Sequence, residues 1–491
     1  MKRVLIVLLV LSLSVFSVFA AGQKEKSSQS VEAQGTAENP TVISVVLKDL
    51  GDYLEMLSVM EQELAKDGIY VKFSPVQLQE GSYEDAMSLM IQGGTIPDLM
   101  YFQGGDYAFA ITQGVLEDMS SYIDNSKYLK NALDSHALAR LENYPYLLWV
   151  SSPRNKVPVV RTDWLNQMET AQAVMDDPTI DNYYAFLKEL QTKFTHNTAL
   201  TCQGGTDGLA EIDMLFGQAF GATNTWVVGP DGRYQYAKVS DAELAKLEFY
   251  AKLYKENLLD REYLSKKYSA KELDFYKGMT GLVLATQNTV VAKYENKSIA
   301  ANGPEATLTV LPPAKGADGS CFFSPVAVDK ETRGWAISKY SDNKQLVFDI
   351  LDWLAGPRGS LLDQFGFSGV HYEITPDNKL HIIDSSWWAR FHEELKNFDL
   401  GMEYVGEIPL FAQPIMGEAS AMVSSHTILD NAFMIPDDYV TEWDAATLVY
   451  KEFAADFVSG KKTRKDWNAF VDEWNKMGGK VVTDYANTVL K

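Results

Sequence analysis

After position 40, short apolar runs and amphipathic stretches alternate along the chain. Residues 41–47 (TVISVVL) are apolar and β-branched, the pattern of a buried strand. Over residues 53–66, Leu54, Leu57, Val59, Met60 and Leu64 fall largely at helical spacing. Ile69, Val71 and Phe73 then alternate as a second strand does. Tyr83, Ala86, Met87, Met90 and Ile91 follow at i, i+3, i+4, i+7 and i+8, one face of a helix closed by Gly93-Gly94. Residues 96–102 return as a third strand. Strand, helix, strand, helix, strand predicts a layered α/β domain with parallel neighbours.

Later segments read mainly as helices. Ser240 with Glu243 forms a capping box before a stripe of Leu244, Leu247, Ala251, Tyr254 and Leu258. Ser341 caps a helix carrying Leu346, Val347, Ile350, Leu351 and Leu354, ended by Gly356-Pro357. Near the end of the sequence Trp467, Phe470, Val471 and Trp474 share one helical face, with Gly478-Gly479 as the stop. Residues 151–160 and 311–328 are rich in Pro, Gly and Ser and suit crossings between domains. At 491 residues, two or three domains are expected.

Ahead of this lies an address. Lys2 and Arg3 precede an apolar/Ser run over residues 4–19, and Val18-Phe19-Ala20 supplies small residues for cleavage after Ala20, the order of a secretory signal. Residues 21–40 hold almost no large apolar side chain and read as a flexible leader. A lipid anchor needs cysteine as the first mature residue, and Cys202 and Cys321 are the two cysteines, so an unlipidated exported protein is expected. Their pairing is open. The 44 basic residues stand against 66 acidic ones, a formal charge of −22 that repels nucleic acid and anionic bilayers.

Catalytic patterns are missing from the sequence. It has no GxSxG, P-loop, GxGxxG, HExxH or EF-hand loop, and its six histidines are scattered. Two carboxylates of a glycoside hydrolase are set in space and leave no spacing to read. An acidic chain rich in Trp and Tyr therefore also suits a secreted glycoside hydrolase, the alternative to a binding protein.

Several motifs carry a resemblance. Residues 87–124 hold a helix ending at Gly93-Gly94, Pro97-Asp98 opening a strand, and Gly114-Val115-Leu116 followed by Asp118 and Tyr122-Ile123. Further on come Arg161-Thr162-Asp163-Trp164-Leu165, Phe275 with Gly278 and Gly281, and Gly334-Trp335-Ala336-Ile337-Ser338-Lys339 before Asp352-Trp353-Leu354. Phe365 to Tyr372 (FGFSGVHY) and Trp467 to Gly479 complete the series. In this order they resemble the family 1 extracellular solute-binding proteins of ABC importers, in the oligosaccharide branch related to maltose- and alginate-binding proteins. Alginate-binding relatives carry a calcium loop where this chain reads Phe194-Thr195-His196-Asn197-Thr198, without carboxylates; no metal or cofactor is expected.

The resemblance implies an α/β, two-lobe periplasmic-binding-protein fold with a ligand cleft between lobes joined by hinge crossings. Lobe 1 would comprise residues 41–153 and 322–366, lobe 2 residues 154–321 and 367–491. It implies a secreted, periplasmic, monomeric, non-enzymatic protein that captures an oligosaccharide by lobe closure and delivers it to the transmembrane subunits of a permease. Expected cleft residues are Asp49, Asp52 and Tyr53 after the first strand, and Gln103, Asp106 and Tyr107 after the third. Gln287 and Asn288 follow the apolar run 282–285. Trp335, Trp387 and Trp388 are the stacking candidates, against core or hinge packing as the other reading. Trp149 and Trp226 are weaker, the latter beside a hairpin at residues 229–232. Arg333 suits either an acidic sugar or a structural salt bridge.

Overall fold

The computed structural model describes residues 35–48, 54–103, 106–133, 135–143, 145–148, 155–204, 208–325, 333–384, 402–406, 408–433 and 435–490. The signal segment lies outside them.

The alternating pattern after position 40 builds the first lobe. Thr41–Val46 pairs in parallel with Val71–Pro75 on one side and Leu99–Gln103 on the other. Arg333–Ile337 joins antiparallel to Leu99–Gln103, completing a four-stranded sheet. Side-chain alternation divides this sheet between two cores. Ile43, Val45, Leu99, Tyr101, Trp335 and Ile337 face helices Leu54–Lys66 and Lys344–Leu354. Val46, Met100, Phe102 and Ala336 face helix Tyr83–Gln92. In the first helix Met56 takes a core place expected for Leu54, which is 54% exposed.

The resemblance motifs act here as fold determinants. The Asp98 carboxylate accepts from the Ser44 amide (2.8 Å), the Ser44 hydroxyl (2.5 Å) and the Ser341 hydroxyl (2.5 Å), tying the sheet to the start of the Lys344–Leu354 helix. Asp352 accepts from the amides of Lys127, Tyr128 and Leu129 at 2.8–2.9 Å. Three amide donors on one carboxylate anchor a turn distant in sequence.

The second lobe has its own four-stranded sheet, ordered Thr198–Leu200, Thr280–Thr286, Lys156–Arg161, Leu308–Val310. Both faces are covered. Val160, Leu282 and Leu284 pack under helices Ile180–Lys193, Ala210–Phe216, Asp241–Lys255, Val440–Val458 and Trp467–Trp474. Val157, Val159, Val283 and Ala285 pack under Thr289–Asn302 and Pro414–Ser425. The glycine pattern ending at Gly281 has a direct cause: a Cβ there would lie 2.5 Å from Leu190 Cγ, so only glycine lets that helix close on the strand.

Two expectations change. Gly478-Gly479 does not stop the chain; after one wide turn over residues 475–479 it continues as helix Lys480–Val489, with Gly478 at φ 119°. A Cβ on Gly478 would meet the Glu442 Cβ at 2.5 Å. At the capping box, the Ser240 hydroxyl accepts from the Glu243 amide as expected, but the Glu243 carboxylate turns inward to Lys246 and Tyr450. Strands Tyr372–Ile374, Leu380–Ile382 and Tyr404–Val405 form a small sheet resting on Leu361 and Phe365 of helix Pro357–Phe365. Leu410 packs on the second-lobe core.

Candidate functional site

The crossings locate the cleft. Leu148 pairs with Trp335 in the first sheet and Lys156 opens a strand of the second, so the chain leaves one lobe after Leu148 and has entered the other by Asn155. It returns between Ser324 and Arg333. Arg333 lies opposite Gln103, at the carboxyl end of the parallel strand Leu99–Gln103. Lys156 lies opposite Thr286, at the carboxyl end of Thr280–Thr286. Both passages therefore enter both sheets at the ends where strands hand over to helices, which is where α/β sheets hold ligands.

The second-lobe rim is a knot of polar groups. Gln287 Oε1 accepts from the Asn155 amide at 2.9 Å, and the Gln287 amide donates to the Asn155 carbonyl at 3.2 Å. Asn155 Nδ2 donates to the Ser324 carbonyl at 3.2 Å, so one side chain ties the outgoing crossing to the returning one. Asn288 caps helix Thr289–Asn302, its Oδ1 accepting from the Val290 amide at 3.0 Å.

Behind this rim, Glu211 is 3% exposed and accepts from the Lys271 ammonium, from the Gln203 amide and, at 3.1 Å, from Lys156 Nζ. Lys271 is wholly buried and also donates to the Leu284 carbonyl at 3.0 Å. Burial pulls the Lys271 pKa down, and the Glu211 charge opposes this. A buried carboxylate with three donors is a fixed electrostatic element, costly to leave without its partners.

The expected contacts divide three ways. Asp49, Asp52, Tyr53, Trp149, Trp387 and Trp388 lie outside the described residues. Gln103 and Arg333 face each other in the first sheet, and Asp106 opens helix Asp106–Thr112; these three backbones sit at the cleft end of that lobe. Gln287 and Asn288 are at the cleft rim, but 3% and 7% exposed and turned to crossing and helix. Trp335 is corrected outright: it is 1% exposed, its ring 5.2 Å from that of Tyr101 in the first-lobe core, and it presents no face to a ligand. Tyr107 is likewise buried, against Phe102. Trp226 is buried between Phe433 and Trp443 in the hairpin expected there. Sequence reasoning missed Asn155, Lys156, Glu211, Lys271 and Ser324. Glu211 and Lys271 each stand on a helix among apolar neighbours, the one signal that could have marked them.

Cys202 is buried and Cys321 half-buried, both as free thiols. A separate cavity of about 310 Å³, lined by residues including Glu117, Asp118, Tyr146 and Lys339, opens beside the Leu116–Ser338 bridge. That is the amino end of Leu99–Gln103, away from the crossings. Among the described residues no three His, Cys, Asp or Glu side chains group to hold a metal, and no helix is long and apolar enough to cross a membrane.

Comparison with known proteins agrees with this architecture. The chain is 20% identical over 484 residues to lipoprotein LipO of Bacillus subtilis strain 168, covering 92% of each. The N-glycan transport solute-binding protein NgtS of Streptococcus pneumoniae superposes with a TM-score of 0.61 at 14% identity, over 90% of this chain and 96% of that one. The sugar-binding protein MalE of Xanthomonas citri gives a TM-score of 0.58 at 13% identity, over 91% and 98%. The model of the bacterial extracellular solute-binding proteins matches residues 51–360. Two lobes joined at the carboxyl ends of their strands, together with a family match over most of the folded chain, place this protein among the bacterial extracellular solute-binding proteins.

Proposed function

We propose that the protein is the ligand-capturing component of an ABC importer, that it takes an oligosaccharide between its lobes, and that it hands it unchanged to a membrane permease. The observation that carries this reading is the entry of both crossings at the carboxyl ends of both sheets. A ligand bound there touches two bodies linked by narrow segments, so binding favours their closed arrangement without chemistry. NgtS and MalE, similar in fold, are named for glycan transport and sugar binding, which supports a saccharide as ligand. No comparison favours the hydrolase alternative.

In this reading the protein acts as a monomer outside the cytoplasmic membrane. The family resemblance supports Asp49, Asp52, Tyr53, Trp387 and Trp388 as further ligand contacts in this proposal. The experiment is a thermal-shift screen of the chain from Ala21 against mono- and oligosaccharides, followed by recovery of any hit. A ligand at 100 times its dissociation constant adds about 2.7 kcal/mol of stability. A hit recovered intact supports the proposal; a hit consumed with new reducing ends would falsify it.

A further inference from the structure

Two linked ion clusters run through the second lobe, and their charge is unevenly spread. At the cleft end, one carboxylate, Glu211, meets two ammonium groups, Lys156 and Lys271. One helical turn further along Tyr268–Tyr276, Lys266 bridges two carboxylates, Asp260 and Asp274, at 2.5 Å each. Residues 201–203 link the two clusters: the Thr201 hydroxyl donates to Asp260 at 2.7 Å and the Gln203 amide donates to Glu211. The six groups balance, but the positive end faces the cleft and the negative end faces away from it. Exposure follows the same axis. Glu211, Lys271, Asp260 and Lys266 are buried, while Lys156 is 27% exposed at the cleft rim and Asp274 31% at the far end.

Lys156 is not needed to neutralise Glu211, which already holds the buried Lys271 ammonium and the Gln203 amide. It is the first residue of its strand, directly after Asn155 of the crossing and opposite Thr286. Its side chain therefore offers a cation, held in place by Glu211, to whatever enters between the lobes. The whole chain carries −22, so any attraction for an anion at this rim is local.

We infer that Lys156 is a specificity-determining contact and that the captured saccharide is anionic, a uronate- or sulfate-bearing oligosaccharide. This rests on the saccharide reading above and narrows it. An ammonium already anchored on one side loses little freedom when a ligand carboxylate or sulfate takes its remaining donors. Glu211 keeps two donors without Lys156, so substitution leaves the fold intact.

The test is calorimetric titration of the chain from Ala21, as wild type, Lys156→Met and Lys156→Arg, with trigalacturonate, a heparin-derived disaccharide and maltotriose. The expected result is that one anionic probe binds wild type at least about tenfold more tightly than maltotriose. That preference falls by about tenfold or more in Lys156→Met and is kept in Lys156→Arg, with all three melting alike. The anionic probe that binds, carboxylated or sulfated, identifies the source of the charge. Maltotriose binding as tightly as both anionic probes, or an anionic probe bound equally by Lys156→Met, overturns the inference and leaves the saccharide reading standing. Should Lys156→Met melt lower than wild type, loss of affinity in Lys156→Gln at a wild-type melting temperature decides the matter. Silence with these probes and with every saccharide of the broader screen removes both readings.

Discussion

Trp335 shows how far a residue's chemistry is set by its surroundings. An aromatic beside an interlobe crossing reads as a sugar platform, yet this indole is 1% exposed and packed on Tyr101. Replacing it by alanine should cost about 3–5 kcal/mol of stability in chemical denaturation. Trp335→Phe should cost less, and neither should alter ligand affinity in protein that remains folded. Glu189 makes a second residue-scale case. It accepts from the amides of Glu169 and Thr170, at 2.9 Å each, from the Thr170 hydroxyl and from Lys193. Burial alone would raise its pKa, but these donors override it and hold the carboxyl down at about 2. A depressed folded-state pKa contributes stability above the unfolded value of about 4.3 and loses it as pH falls toward 2. Glu189→Gln should therefore lower stability by about 1 kcal/mol at neutral pH. The difference from wild type should vanish in melts near pH 2, and a constant gap across pH would show that the charge is irrelevant.

At the scale of elements, much of the fold was legible because its signals are local. The strand and helix periods over residues 41–103 and the hairpin at Trp226 appear where the sequence places them, whereas Lys156–Arg161, expected within a crossing, is a strand of the second sheet. Readings failed where a distant element decided the outcome. Gly478-Gly479 looks like a stop, but Glu442 occupies the space a side chain would need and the helix resumes beyond it. Gly478→Ala combines that clash with an unfavourable φ, so it should destabilise the second lobe by about 2 kcal/mol or more, read from denaturant midpoints. The candidate site was less legible still. It draws on Asn155, Lys156, Glu211, Lys271, Gln287 and Ser324, from five separate segments, and nothing in local spacing brings them together. Glu211 and Lys271 look like surface charges until tertiary packing buries them. Asn155 is the element-scale hinge fastener. Asn155→Ala removes the side-chain tie to Ser324 and should speed amide exchange over residues 156–160 and 321–325, while exchange in the first-lobe strand Thr41–Val46 stays unchanged. Unchanged exchange in the crossings would mean that the backbone pairing with Gln287 suffices.

For the whole molecule, two lobes with separate cores share a chain that passes between them at the ligand-facing ends of their sheets. Such a body changes shape by moving at its crossings while each packed core stays intact. The two thiols offer a check on those cores. Cys202 is inside the second lobe and its pKa is raised by burial, and the half-buried Cys321 thiol donates to the Pro313 carbonyl at 3.3 Å. In the folded protein only Cys321 should react with a thiol reagent within minutes, and both should react once the chain is unfolded. Closure itself is best tested by small-angle scattering on a titration with the oligosaccharide that the stability screen selects. The account predicts a saturable fall in radius of gyration, complete at one ligand per chain, with the saccharide recovered intact. Scattering curves that stay superimposable at saturating ligand would contradict capture by lobe closure.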